Sequence, residues 1–186
     1  VVNRLLTRFM GEVTKSVDEG TDFHVADNAL APLGLPMTPF TLLQLVGPAV
    51  AYHVSGTMHE AYPDRFYISA NLGNVVDAGK MAIWNWDTGN PQVDPEVAAL
   101  FEQGDNPLTS EQVRQRAMDA LAEEIQIMLD EGVVAEAQDI DLCMIMGAGW
   151  PFHLGGITPY LDRAGVSERV NGKRFLPAGA ASLPGA

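Results

Sequence analysis

The sequence predicts an all-α fold, and three observations carry that prediction. Apolar residues recur at spacings of three and four, no run of alternating strand residues interrupts them, and one set of helix-ending motifs occurs twice in the same order.

The first helix is read from Leu6, Met10, Val13 and Val17, which make one stripe, and Asp18-Glu19-Gly20 stops it. A short helix over Phe23–Leu33 ends at Gly34. Thr38-Pro39 starts the next, because threonine caps free amides and proline at the first helical position forfeits no bond. That helix carries Phe40, Leu43 and Leu45 to Gly47. Another runs from Pro48 to Ala61 and closes before Pro63, and Ser69–Ala78 is helical. Gly79–Pro91 reads as irregular. Asp94-Pro95 opens a helix that lasts to Gly104. The strongest helix spans Thr109 to Glu131, with Val113, Ala117, Leu121, Ile125 and Met128 on one face. Shorter helices follow over Ala135–Met146 and Gly156–Ala164, and the tail after Val170 is expected to be loose at its end.

Val17-Asp18-Glu19-Gly20 matches Leu129-Asp130-Glu131-Gly132, each closing a long amphipathic helix. Downstream, Leu33-Gly34-Leu35-Pro36-Met37 matches Ala148-Gly149-Trp150-Pro151-Phe152. Two pseudo-symmetric helical domains are therefore expected, residues 1–104 and 105–186, with Gly104–Pro107 as linker. Leu6, Met10 and Val13 are expected to meet Leu121, Ile125 and Met128 across the seam.

Hydrophobic residues make up 47% of the 186 and mean hydropathy is +0.03, enough for a core. Net charge is −13, from 24 acids and 11 bases, which argues against nucleic acid or an anionic membrane as partner. The apolar runs fall short of the roughly 20 residues of a membrane span. One cysteine, Cys143, and the want of a leader fit a cytoplasmic protein. The chain opens on Val1 and reads as a segment of something longer.

These landmarks carry a resemblance. Val1-Val2-Asn3-Arg4-Leu5-Leu6 resembles the end of a glycine-phenylalanine-x-x-asparagine-arginine signature of 3-hydroxyacyl-CoA dehydrogenases. Gly34-Leu35-Pro36-Met37-Thr38-Pro39-Phe40 with Leu45-Val46-Gly47 is similar to the family's next block, and Gly149–Gly156 with Tyr160-Leu161-Asp162 to a second copy of it. The resemblance implies the C-terminal helical domain in tandem, of the 6-phosphogluconate dehydrogenase C-terminal-like fold, as in the multifunctional α-subunit of the bacterial fatty-acid oxidation complex. It also implies an NAD-dependent oxidoreductase of fatty-acid β-oxidation, acting on 3-hydroxyacyl-CoA, with enoyl-CoA hydratase and Rossmann domains upstream and a thiolase β-subunit as a possible partner.

The family's catalytic histidine and its orienting glutamate lie in the Rossmann domain, so no catalytic residue is expected here and the fragment alone is read as inactive. His24, His53, His59 and His153 have structural or solvent-facing readings. Gly147-Ala148-Gly149 begins like a dinucleotide fingerprint but fails at Phe152, so no cofactor-binding residue is assigned, and no metal site. Asn3 is the one site residue carried over, a hydrogen-bond donor near the substrate carbonyl; a helix N-cap is the other reading, and both stand. Met37 and Phe40, with Leu43 and Met10, are candidates to line an acyl-chain tunnel, against a reading as core. Trp84 and Trp86 are read as anchors or a ligand platform. A free-standing helical interaction module is the alternative function.

Overall fold

The computed structural model describes residues 1–87 and 89–180. The expected loose end of the tail falls largely on residues 181–186, outside the described residues. Helices dominate, at 62% of residues against 2% in strand, so the class is all-α.

Helix α1 spans Val2–Asp18, α2 Phe23–Asp27, α3 Pro39–Val46, α4 Pro48–Ala61 and α5 Ala70–Asp77. After a two-stranded ribbon come α6 (Pro95–Ala98), α7 (Ser110–Asp130), α8 (Ala137–Ala148), α9 (Ile157–Arg163) and α10 (Val166–Asn171). The ribbon pairs β1 (Trp84–Asn85) antiparallel to β2 (Gln92–Val93), with Trp84 opposite Val93; β1 lies inside the stretch read as irregular and β2 directly after it.

The departures from the sequence reading have identifiable causes. Phe23–Leu33 is not one helix: α2 gives way to a 3-10 segment at Asn28–Leu33, where Pro32 cannot donate the next α-helical hydrogen bond. The Asp94-Pro95 helix stops at Ala98 instead of reaching Gly104. Its would-be continuation is bonded elsewhere: the Glu102 amide donates to Asn71 Oδ1 and the Gly104 amide to the Asp18 carbonyl. α10 was not expected; it lies between Gly165 and Gly172, both left-handed. In contrast, Thr109 and Gln112 form a reciprocal capping box that fixes the start of α7 where expected.

The core is organised around α1 and α7, which run antiparallel. Leu5, Phe9, Val13 and Val17 of α1 and Val113, Ala117, Leu121, Ile125 and Met128 of α7 are buried in one cluster. The seam expectation holds on α7 and shifts on α1. Leu6 and Met10 are only half-buried, because α1 carries two adjacent apolar rows and it is the row beginning at Leu5 that enters the core.

Ion pairs lace this helix pair. Arg4 pairs with Glu124 and, at 2.7 Å, with Glu131; Arg116 pairs with Glu12 at 3.0 Å and Glu19 at 2.5 Å. Arg4 and Glu12 of α1 and Glu19 at its C-cap stand at the same spacings as Arg116 and Glu124 of α7 and Glu131 at its C-cap. Glu124 is fully buried and is also approached by Arg65 at 3.2 Å, whose guanidinium lies 4.4 Å from the centre of the Tyr62 ring. The Arg4 guanidinium loses solvation by burial, but hydrogen bonds to Glu131 and Glu124 more than offset this and raise its pKa.

A clasp joins the end of α1 to the segment leading into α7. Gly104 and Asn106 amides donate to the Asp18 and Glu19 carbonyls at 2.8 Å, and the Gln103 side chain donates to the Val17 carbonyl at 2.8 Å. Gly20, at φ +119°, passes so close that a Cβ there would lie 2.5 Å from the Gly104 carbonyl oxygen.

Helices α3 and α9 are each pinned at the second residue by a buried aspartate. Asp27, fifth in α2, accepts from the Phe40 amide at 2.7 Å; Asp141, fifth in α8, accepts from the Thr158 amide at 2.8 Å. Burial pushes both carboxyls above the ordinary range although these amides pull the other way. One position further along, the pattern recurs with a new acceptor. Gln44, sixth in α3, accepts from the amides of Ile83 and Trp84, and Asp162, sixth in α9, from those of Phe175 and Leu176.

Two outcomes follow. Glu124→Ala leaves Arg4 and Arg65 partly buried without their shared carboxylate and should cost about 3–5 kcal/mol in urea unfolding. Arg116→Ala, at a more exposed pair, should cost about 1 kcal/mol; equal losses would show that burial does not set the weight of these pairs. For Asp27, a raised carboxyl binds its proton more tightly in the folded chain. The ionisation penalty is therefore absent below the ordinary carboxylate range, grows as pH rises through it and is complete above the raised folded value. Asp27→Asn keeps the acceptor for Phe40 without the charge, so its stability relative to the parent should rise from pH 4 to pH 7. Asp27→Ala orphans the amide and should lose about 1–3 kcal/mol at both.

Candidate functional site

The row of α1 that stays out of the core lines a groove. Asn3, Leu6, Thr7, Met10, Gly11 and Thr14 recur at spacings of three and four, so they share one face of the helix. Leu42, Leu43 and Val46 of α3 and Val50, Ala51, Val54 and Ser55 of α4 form the facing wall, and Tyr67, Ser69 and Leu72 complete the lining. The groove's volume is about 240 Å³.

Small side chains keep it open. A Cβ added to Gly11 would already touch Tyr67 at 3.6 Å, and Thr14 folds its hydroxyl back onto the Met10 carbonyl at 2.9 Å, leaving its methyl available to the wall. Tyr67 is held by its hydroxyl, which donates to Asp18 at 2.8 Å while Asn71 donates to the other oxygen of the same carboxylate. Burial first, then the hydrogen bond to Asp18, pushes the Tyr67 phenol up, so it stays neutral and serves as a donor at any physiological pH. Ser69 caps α5 through the Leu72 amide, and Gly73 one residue on lets Tyr52 of α4 approach: a Cβ there would stand 2.9 Å from the Tyr52 hydroxyl.

Asn3 is exposed and belongs to the first turn inside α1, with Val1 in the capping position. The N-cap reading therefore does not describe it, and its amide stands free on the wall of an aliphatic groove. Among the other tunnel candidates, Met10 and Leu43 line the groove. Phe40 and Met37 do not. Phe40 is buried in the core, its ring 5.8 Å from Phe23 and 6.3 Å from Trp84, and Met37 is half-buried in the loop before α3. Trp84 is an anchor, buried with its backbone amide on Gln44, while Trp86 is exposed and away from the groove lining.

The remaining histidines sit outside the groove lining. His24 lies against the Trp84 ring at 4.7 Å, His59 bonds the Phe66 carbonyl through Nδ1 at 2.7 Å, and His53 and His153 are exposed. Among the described residues no group of three histidine, cysteine or carboxylate side chains could hold a metal. Nor is any described helix long and apolar enough to cross a membrane. Gly147-Ala148-Gly149 closes α8: Gly149 is its left-handed cap and Gly147 lies against Val2, so the trio makes no phosphate cradle.

Thr7, Gly11 and Thr14 escaped the sequence reading, because small residues on a helix resemble a solvated face until the facing wall is known, and Tyr67 did so because it lies in the loop between α4 and α5, where no periodicity marks it. Asp27 and Asp141 were not singled out either, because an acid on a short helix reads as solvated until the helix that follows is seen to bury it.

Comparison with known proteins bears on this arrangement. The family 3-hydroxyacyl-CoA dehydrogenase, C-terminal domain, matches residues 1–83. Proteins named fatty acid oxidation complex subunit alpha from Acinetobacter baumannii strains SDF and AYE are each 33% identical over 187 residues, taking in 91% of this chain and 26% of theirs. The chain thus spans about a quarter of the length of these relatives. Its backbone is similar to the crystal structure of 3-hydroxybutyryl-CoA dehydrogenase from Escherichia coli K12 substr. MG1655, with a TM-score of 0.62 at 18% identity, over 96% of this chain and 58% of that one. The helical face that bears Asn3 and its groove, like most of the first half of the molecule, falls in residues 1–83, and it is this part of the chain that matches the 3-hydroxyacyl-CoA dehydrogenase C-terminal domain.

Proposed function

We propose that this chain is the substrate-side helical region of an NAD-dependent L-3-hydroxyacyl-CoA dehydrogenase of fatty-acid β-oxidation, with its groove taking the acyl chain. The observation that carries this reading is the free amide of Asn3 on the wall of a groove otherwise lined mainly by aliphatic side chains. Such a groove takes methylene carbons by removing them from water, at about 0.8 kcal/mol for each one buried. An amide at its wall donates a hydrogen bond to an oxygen on the same ligand, which orients the chain and stabilises charge developing on that oxygen. NAD and the histidine–glutamate pair belong to a Rossmann domain of the parent polypeptide; this chain contributes substrate binding and orientation. The relatives' name, subunit alpha of a complex, supports a further subunit in the parent's assembly, for which a thiolase is our choice, and the half-buried free thiol of Cys143 suits a reducing cytoplasm.

The same proposal includes two tandem copies of one helical unit, residues 1–104 and 105–186. Its support is the recurrence of the Arg–Glu–Glu clamp on α1 and α7, of the buried aspartates Asp27 and Asp141, and of the acceptors Gln44 and Asp162 at one helical position. The loops after the second landmark face each other. A Cβ on Gly34 would meet His153 at 3.4 Å, and one on Gly149 would meet Pro36 at 3.2 Å.

In the parent enzyme, Asn3→Ala should lower kcat about 10²–10³-fold with little change in KM, as removal of one oxyanion donor does. Steady-state kinetics on 3-hydroxyacyl-CoA substrates tests this, and an unchanged kcat would sink the role. Met10→Trp should raise KM for long acyl chains while leaving 3-hydroxybutyryl-CoA turnover close to normal; equal effects on both would mean that the groove does not hold the chain.

A further inference from the structure

The two halves differ at the place where the first carries its groove. α10 follows α9 as α4 follows α3, so α10 is the topological counterpart of α4. On α7, the positions corresponding to the groove-lining Thr7 and Met10 are Asp119 and Ala122. Both are taken by α10: Arg169 pairs with the Asp119 carboxylate, and the Asn171 side chain donates to the Ala122 carbonyl at 3.0 Å. Val166 and Ser167 of the same helix are buried.

One exchange of side chains explains why this carbonyl is free to receive Asn171. On α1 the Met10 carbonyl accepts the hydroxyl of Thr14, a bond within the helix. The residue matching Thr14 on α7 is Gln126, which turns the other way and donates to Asp130 at 2.7 Å. Ala122 in place of Met10 then lets α10 approach the helix backbone. In the first half, α4 instead rests on α5 through Tyr52 and Gly73 and packs against α1 less extensively than α10 packs against α7. After α10, the chain turns at Gly172 toward Asp162, and among the described residues no helix follows to hold α10 away.

We propose that α10 is the built-in occupant of the second half's counterpart of the groove, so that the chain accepts one apolar ligand, in the first half alone. This rests on the tandem correspondence and on the groove being a ligand site, both proposed above.

The test is titration of the chain with cis-parinaric acid, a polyene fatty acid that fluoresces in apolar sites. One site per chain is expected. Val50→Trp, which fills the groove from an exposed position on its wall, should weaken binding tenfold or more. Arg169→Ala with Asn171→Ala frees α10 and should raise the stoichiometry toward two. Two sites in the unaltered chain, no binding at all, or binding indifferent to Val50→Trp would each overturn the proposal. A freed variant that keeps its helical circular dichroism and still binds one probe would do the same. Displacement by decanoyl-CoA separates the two readings: failure to displace a probe bound one to one would sink the acyl-chain function and leave this inference standing.

Discussion

Everything else in the molecule hangs on the antiparallel pairing of α1 with α7. Apolar burial drives the two helices together, but it is indifferent to a slide of one turn along either axis. The charges are not indifferent. Arg4 and Arg116, near the starts of the two helices, each reach two carboxylates on the other, so a slide in either direction would separate both sets at once. The burial of Glu124 sharpens this. A carboxylate removed from water is tolerated only where cations face it, and here Arg4 and Arg65 do. The net contribution of such a pair to stability is small against hydrophobic replacements, and its effect is felt chiefly as register.

Once α1 is fixed on one side, its other side is free for a different use. The row beginning at Asn3 faces α3 and α4 across a gap that α1 cannot close, since its opposite face is committed to α7. The gap persists because α4 has its own support in α5. Tyr67 couples the two duties: it forms part of the groove wall, and its hydroxyl is bonded to Asp18 in the last turn of α1, next to the carbonyls that receive Gly104 and Asn106.

Much of this was legible in the sequence, and the limits follow from the forces involved. Helix type and most ends were readable because caps and breakers act locally: Gly34, Thr38-Pro39, Gly47 and Thr109 all stand where expected. The α6 end was not, because residues 102–106 are recruited by Asn71 and by the end of α1, partners far away in the chain. The seam residues of α1 were half right, since two apolar rows lie side by side and only the partner helix decides between them. Asn3 was singled out through a motif and Met10 and Leu43 through their chemistry, and all three line the groove. Phe40 has the same chemistry and lies in the core, because aromatic neighbours Phe23 and Trp84 claim it. Polar wall residues such as Thr7 and Thr14 become recognisable only when the opposite wall is in place.

The clasp over the end of α1 also limits how copies of this chain can combine. Two chains related by an antiparallel helix pair could in principle trade their second halves, each α7 lying along the other's α1, with every Arg–Glu contact re-formed between molecules. Such an exchange requires residues 103–108 to straighten into a bridge. Here that segment is bonded to Val17, Asp18, Glu19 and Thr21 of its own chain, and Gly20 and Gly104 leave no room between them for any side chain. An exchanged dimer would give up those bonds in both molecules and gain no contact that the single chain lacks. The joint between α1 and α7 thus acts as a latch against swapping, built from backbone amides and carbonyls together with the side chains of Gln103 and Thr21.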